Sequence, residues 1–230
     1  MNTLTSPLAH NILISAASII YVFAVVAIMD RFVKRGFPKE FSRKIVHIAA
    51  GSLIIFWAFY DHSHWSKYLN IAPTVIWGAL LLIKGFFASS NDEAVKTMTR
   101  EGDRRELLRG PFYFTLVMNF MGIAYLNTPA GITAIAFLGW GDGLAPIIGR
   151  LYGKTGYNVL AYKTVEGSLA FNIAGIAAAI VFNMLILGSF NLNHIILCGI
   201  AATIIEAVSP KDLDNLLIPA IILFFYEFLF

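Results

Sequence analysis

GWGDGLAPIIGRLYGKTGYNVLAYKTVEGSLAF, residues 139–171, sets an acidic residue, a cluster of glycines and three basic residues between two apolar runs. Asp142 falls well inside what otherwise reads as a membrane helix, where a carboxylate is costly and faces a polar cavity or site. Gly139, Gly141, Gly143, Gly149 and Pro146 cannot continue a regular helix without cost, so a broken helix is expected around 139–149. In lipid, the freed backbone groups must be buried in protein or line a wet cavity. The bland alternative, small residues packing two helices together, accounts for the glycines but not for Asp142.

The rest of the chain supports a bilayer setting. Of 230 residues, 58% are hydrophobic and 13% charged, against about 45–50% and about 25% in soluble domains. Apolar runs at 12–29, 45–60, 71–89, 112–126, 130–149, 168–188, 194–208 and 215–230 predict an all-α, polytopic transmembrane bundle of seven to eight spans. Several runs are short and need tilt or local thinning. No repeat or linker divides the chain, so residues 1–230 read as one domain.

Fifteen of the 17 Lys and Arg residues lie in the alternate connections 30–44, 90–111, 150–167 and 209–214. By the positive-inside rule these face the cytosol and both termini face outside. The start lacks the basic region of a secretory signal, so the first span is expected to be retained. The lone Cys198 excludes disulfides and cysteine metal sites, and the net charge of +3 reflects topology, not nucleic-acid binding. The connection 89–110 is expected to form an amphipathic surface helix that stops at Gly110-Pro111, either a solvated loop or a grip on phosphate.

Chemistry-bearing residues collect on that same side. Lys44, His47 and Gly51 share one helical face, with Arg43 beside them. Lys163, Thr164, Gly167 and Ser168 stand where the chain re-enters the membrane, an arrangement suited to oligophosphate. Glu206, Asp214 and Asn215 lie at the inner mouth, with Asp212 read as an exposed charge. Asp142, Glu166, Glu206 and Asp214 are thus candidate ligands of a hard cation such as Mg²⁺. His62 and His64 form an outer-loop HxH that lacks further metal ligands.

Known nucleotide loops do not fit. In GRLYGKT the two glycines enclose three residues where the Walker loop needs four, and Leu144 stands where GxGxxG requires its last glycine.

Taken in order, SRKIVHI, ELLRGPFYF, GDGLAPIIGRLYGK, KTVEGSLAF and DNLLIP resemble the phytol, farnesol and dolichol kinase group of integral-membrane lipid kinases, over residues 41–220. The resemblance is closest to phytol kinases. It implies transfer of the terminal phosphoryl group of a nucleoside triphosphate, CTP above all, to an isoprenoid alcohol. By position it implies a nucleotide site at Gly141, Asp142, Gly143, Gly149, Lys154, Lys163, Gly167 and Ser168. TVEG is similar to the dolichol and diacylglycerol kinase version, which leaves the alcohol open.

On this reading Asp142, Lys163 and Glu166 are catalytic. Arg43, Lys44, Lys154 and Thr164 join the nucleotide site, while His47 and Asn215 meet the alcohol. The alcohol enters from the bilayer and the nucleotide from the cytosol. A prokaryotic cell membrane or a thylakoid-type membrane fits, and oligomeric state, homodimer included, stays open. The rivals are a lipid cytidylyltransferase or CDP-alcohol transferase, whose DGxxAR start DGLAPI does not match, and a small transporter, for which no inverted repeat is visible.

Overall fold

The computed structural model describes residues 6–89 and 91–230. Helix α1 (Pro7–Lys34) leads to α2 (Lys39–Gly51), which tightens into a 3₁₀ segment, Ser52–Phe59. A second 3₁₀ segment, Trp65–Ile71, opens α3 (Ala72–Phe87). Then come the short α4 (Glu93–Met98), a 3₁₀ turn at Arg104–Leu108, and α5 (Gly110–Ala124). Helix α6 (Pro129–Ala136) runs through a π-turn, Phe137–Gly141, into α7 (Asp142–Tyr152). An antiparallel hairpin, β1 (Gly156–Asn158) and β2 (Tyr162–Thr164), precedes α8 (Val165–Leu187), α9 (Leu192–Val208) and α10 (Asp214–Phe228).

The chain is therefore an all-α polytopic bundle, and helix occupies all eight predicted runs. Among the described residues, six helices are long and apolar enough to cross a membrane by length and composition. Helices α9 and α10 are shorter, at 17 and 15 residues. The outward faces of the bundle carry large exposed apolar side chains, with Ile20 of α1 68%, Ile173 of α8 67% and Phe87 of α3 79% exposed. So much contiguous apolar surface is what lipid covers.

Two sequence expectations change form. The break at 139–149 is a π-turn in a continuous helix, not a gap, and the helix carries Pro146 in its interior. Burial on every side holds it together: Phe137 is fully buried, and a Cβ on Gly175 or Gly199 would press on its ring. The basic connection forms no single surface helix. It is split between α4 and the 3₁₀ turn because Gly102, at φ 81°, reverses the backbone between them.

Helix 129–152 is the axis of the bundle. Thr128 caps its start by accepting from the Gly131 amide at 3.1 Å, and residues 130–139 are buried. The four basic connections meet at one end. Lys34 pairs with Glu93 at 2.5 Å, Glu40 pairs with Arg150, and Arg100 pairs with Asp212 at 3.3 Å, which ties the first to the second and third and the second to the fourth.

Candidate active site

Gly51 of α2 crosses the helical axis at Gly139. A Cβ built on Gly51 would lie 2.6 Å from the Gly139 Cα, so only two glycines allow this approach. Seven and four residues earlier on the same face, Lys44 and His47 consequently reach Asp142. The Lys44 ammonium donates to Asp142 Oδ2 at 2.8 Å and to the Asp142 carbonyl at 2.9 Å. His47 Nε2 lies 2.8 Å from the Leu138 carbonyl and 3.2 Å from Asp142 Oδ2. Both neighbours are acceptors, which assigns the ring proton to Nε2.

The carbonyls are available for a local reason. Pro146 has no amide to offer its i−4 carbonyl, that of Asp142. In the π-turn the Asp142 amide donates to Phe137, one residue further back than in an α-helix, and so leaves Leu138 free. Two side chains of α2 fill both vacant bonds. A buried helix distortion without such partners would be severely penalised in lipid.

Across the cavity Lys163 donates to both the carboxylate and the carbonyl of Glu206, a carbonyl in the last turn of α9 that also accepts from the Ser209 amide at 3.3 Å. Ser168 Oγ donates to Glu206 Oε2 at 3.3 Å, and the Tyr157 hydroxyl lies 2.6 Å from Ser168 Oγ. The hairpin is thereby tied to α8 and α9. Thr164 caps α8 by accepting from the Gly167 amide at 3.1 Å.

Two cavities meet at these residues. One is an apolar chamber between α1, α2, α3 and α5, walled by residues such as Val22, Ala50, Trp77 and Phe114. The other is polar and opens at the basic end, lined by Gly149, Lys163, Thr164, Gly167, Ser168 and Glu206 among others. Arg43, Lys44, Arg100, Asp142, Asp212 and Asp214 line both. His47 and Asn215 line the apolar chamber.

Charge at this junction is unevenly matched. Asp142 and Glu206 each hold a lysine, and Asp212 holds Arg100. Among the described residues Arg43 has no hydrogen-bond or ion-pair partner, and Asp214 has no cation within ion-pair distance. Asp214 Oδ1 accepts from the Asn215 amide at 3.0 Å and from its Nδ2 at 3.2 Å. No group of three or more His, Cys, Asp or Glu side chains among the described residues would hold a metal alone. A cation shared with phosphate oxygens needs only one or two carboxylates, and Asp142 and Asp214 supply two.

Several expected residues lie elsewhere. Glu166 is not brought to the other carboxylates: it accepts from the Thr155 amide at 3.3 Å inside the hairpin connection. Lys154 is exposed there and lines neither cavity. Gly141 packs on Phe171 and Gly143 on Ile48, so both serve helix contact. Asp212 corrects the sequence reading. It is no exposed charge, but 17% accessible, paired with Arg100, at φ 70° and on both cavities. Arg100 and Lys211 also line the polar cavity, unassigned from sequence because surface loops mask such roles. An acid four residues before a proline, as in Asp142–Pro146, was the readable signal for the lysine-held acid of the π-turn.

No family model and no solved structure matches the chain. Among curated proteins, phytol kinase 1, chloroplastic, of Arabidopsis thaliana is 30% identical, with 94% of this chain and 75% of the relative aligned. The probable phytol kinase, chloroplastic, of Zea mays is 30% identical over 92% of this chain and 73% of its own length. Probable phytol kinase 2, chloroplastic, of Oryza sativa subsp. japonica is 33% identical over 76% and 59%. With this identity along nearly the whole bundle, junction included, the chain belongs to the phytol kinase family.

Proposed function

We propose that this protein transfers the terminal phosphoryl group of a nucleoside triphosphate, CTP first among candidates, to the hydroxyl of an isoprenoid alcohol such as phytol. One observation carries the reading: an apolar chamber and a basic, polar cavity share the wall formed by Lys44, Asp142, Asp214 and Arg43. A lipid tail and a charged nucleotide need separate solvents but one meeting point.

The alcohol's tail lies in the chamber and its hydroxyl at the junction. Lys44 and His47 occupy Oδ2 of Asp142, so Oδ1 is left to face that hydroxyl and take its proton. Arg43, without a protein partner among the described residues, binds the transferred phosphoryl group, whose charge is spread over its oxygens. Lys211 and Arg100 approach the rest of the oligophosphate from the loops. Asp214, the junction carboxylate without a counter-ion among the described residues, fits a ligand of a divalent cation such as Mg²⁺ whose other positions phosphate oxygens and water fill. Such an ion, when bound, neutralises phosphate charge and orients the leaving group. The nucleotide enters from the basic end, which the positive-inside rule makes the cytosolic one.

Purified protein in nanodiscs, given each labelled nucleoside triphosphate with phytol, geranylgeraniol, farnesol, a long polyprenol or diacylglycerol, tests this. A prenyl monophosphate is expected. Formation of a CDP-lipid with pyrophosphate instead would establish nucleotidyl transfer and overturn the kinase reading.

A further inference from the structure

The polar cavity changes character toward its mouth. Arg43 and Lys44 near the junction, and Lys163 across from them, line it with cations that suit phosphate. From Asp142 to Arg150 its wall runs eight residues along α7, about 12 Å of helix. That length accommodates a triphosphate chain and its ribose. A nucleotide whose terminal phosphate meets the junction therefore has its base at the mouth.

The mouth is built for something other than phosphate. Among the described residues Phe41 and Tyr162 are the only aromatic side chains that line the polar cavity, and they come from separate walls, α2 and β2. Tyr162 is 73% exposed and lies along the hairpin, where a Cβ on Gly156 would press on its ring. Phe41 is steadied by Phe37, 6.4 Å away between ring centres. Glu40, in the first turn of α2, pairs with Arg150, in the last turn of α7, and both line the cavity. A carboxylate at the mouth repels phosphate and attracts N–H or O–H donors. The arginine beside it supplies donors of its own in a planar fork. Two rings and a donor–acceptor pair match what a nucleobase offers, faces that stack and an edge that hydrogen-bonds.

Resting on the prenol kinase reading, we propose that the mouth is a nucleobase subsite: the base lies between Phe41 and Tyr162, and the Glu40–Arg150 pair reads its edge. Cytosine offers its exocyclic amine to Glu40 and its ring acceptors to Arg150. Uracil places a carbonyl where that amine stands, and the Glu40 carboxylate repels it. The subsite therefore takes CTP over UTP.

The test is steady-state kinetics in nanodiscs with CTP and UTP, alongside inhibition by inorganic tripolyphosphate, which has the phosphates but no base. Glu40→Gln, whose amide both donates and accepts, should lower the CTP-to-UTP ratio of kcat/KM about tenfold. Tyr162→Ala should raise KM for both nucleotides about tenfold, and Tyr162→Phe, which keeps the ring, should rescue it. Neither Glu40→Gln nor Tyr162→Ala should weaken inhibition by tripolyphosphate. Both side chains are exposed, so the fold does not rest on them. An unchanged ratio in Glu40→Gln with an unchanged KM in Tyr162→Ala would overturn the subsite while kinase activity stands. Tripolyphosphate inhibition weakened as much as nucleotide binding would put these residues on phosphate and overturn it too. A wild-type protein that uses UTP as well as CTP would overturn the reading of the edge. If the wild-type protein phosphorylates no prenol from any nucleoside triphosphate, the activity reading falls and the subsite falls with it.

Discussion

Lys44 donates to the Asp142 carbonyl at 2.9 Å because Pro146, four residues on, has no amide to donate to it. The helix thus gives up one internal bond and gains a fixed ammonium at the junction of the two cavities. Replacing Pro146 by alanine returns the amide, which then competes with Lys44 for that oxygen. The Pro146→Ala variant should melt no lower than wild type and lose about three- to tenfold in kcat, since the bond at stake is worth about 1 kcal/mol. Thermal melting and steady-state kinetics on one nanodisc sample separate the two effects.

The Lys44–Asp142 pair is nearly out of solvent, with side chains 12 and 9% accessible. Removing one member strands the other. The Lys44→Met variant should be destabilised by about 3–5 kcal/mol, and adding Asp142→Asn should recover most of that loss. Activity should not return in the double variant, and Asp142→Asn alone should cost at least about 100-fold in kcat/KM. A double variant as active as wild type would show the pair to be structural only.

Gly51 and Gly139 touch backbone to backbone, so neither side can yield to a new methyl group. Either Gly51→Ala or Gly139→Ala should cost about 1–3 kcal/mol of stability by forcing the helices apart. Both should also lower kcat, because Lys44 and His47 ride on the displaced helix. Unchanged kcat in a destabilised variant would separate the crossing from the chemistry.

Much of this architecture is legible in the sequence, and the illegible part has physical causes. Apolar runs and the placement of Lys and Arg suffice for the bundle, because lipid tolerates little else. Asp142, Lys163, Thr164 and Ser168 are legible too, as polar groups where polarity is expensive. Gly141 and Gly143 pack on Phe171 and Ile48, and in sequence a glycine needed for helix contact looks the same as one needed beside phosphate. Glu166 misleads because the hairpin at 156–164, too short to leave a periodic pattern, turns its carboxylate toward Thr155. Asp212 and Arg100 are hidden for the opposite reason: each sits in a polar loop, and only the meeting of two loops pairs them.

Arg43 lines both cavities and has no protein partner among the described residues. The Arg43→Ala variant should raise KM for the nucleotide about tenfold and lower kcat, with KM for the alcohol within about twofold. Arg43→Lys should recover part of the loss, since a point charge replaces a fork. An effect on the alcohol's KM alone would move Arg43 to the tail's site.

Glu166 and Asp214 give a matched contrast. If Asp214 serves a cation at the junction, Asp214→Asn should raise the Mg²⁺ concentration needed for half-maximal rate by about tenfold. The Glu166→Gln variant should leave it unchanged, because that carboxylate faces the hairpin. Magnesium titrations of both variants check this.

The central claim is that the alcohol's tail occupies the chamber between α1, α2, α3 and α5 with its hydroxyl at Asp142. The most direct measurement is photolabelling in nanodiscs with a prenol that carries a diazirine on its first isoprene unit, followed by mapping of the labelled peptides. The account predicts label on residues 44–53 and 110–115, displaced by excess phytol. Label confined to the outward faces of α8 and α9, or undisplaced by phytol, would contradict it.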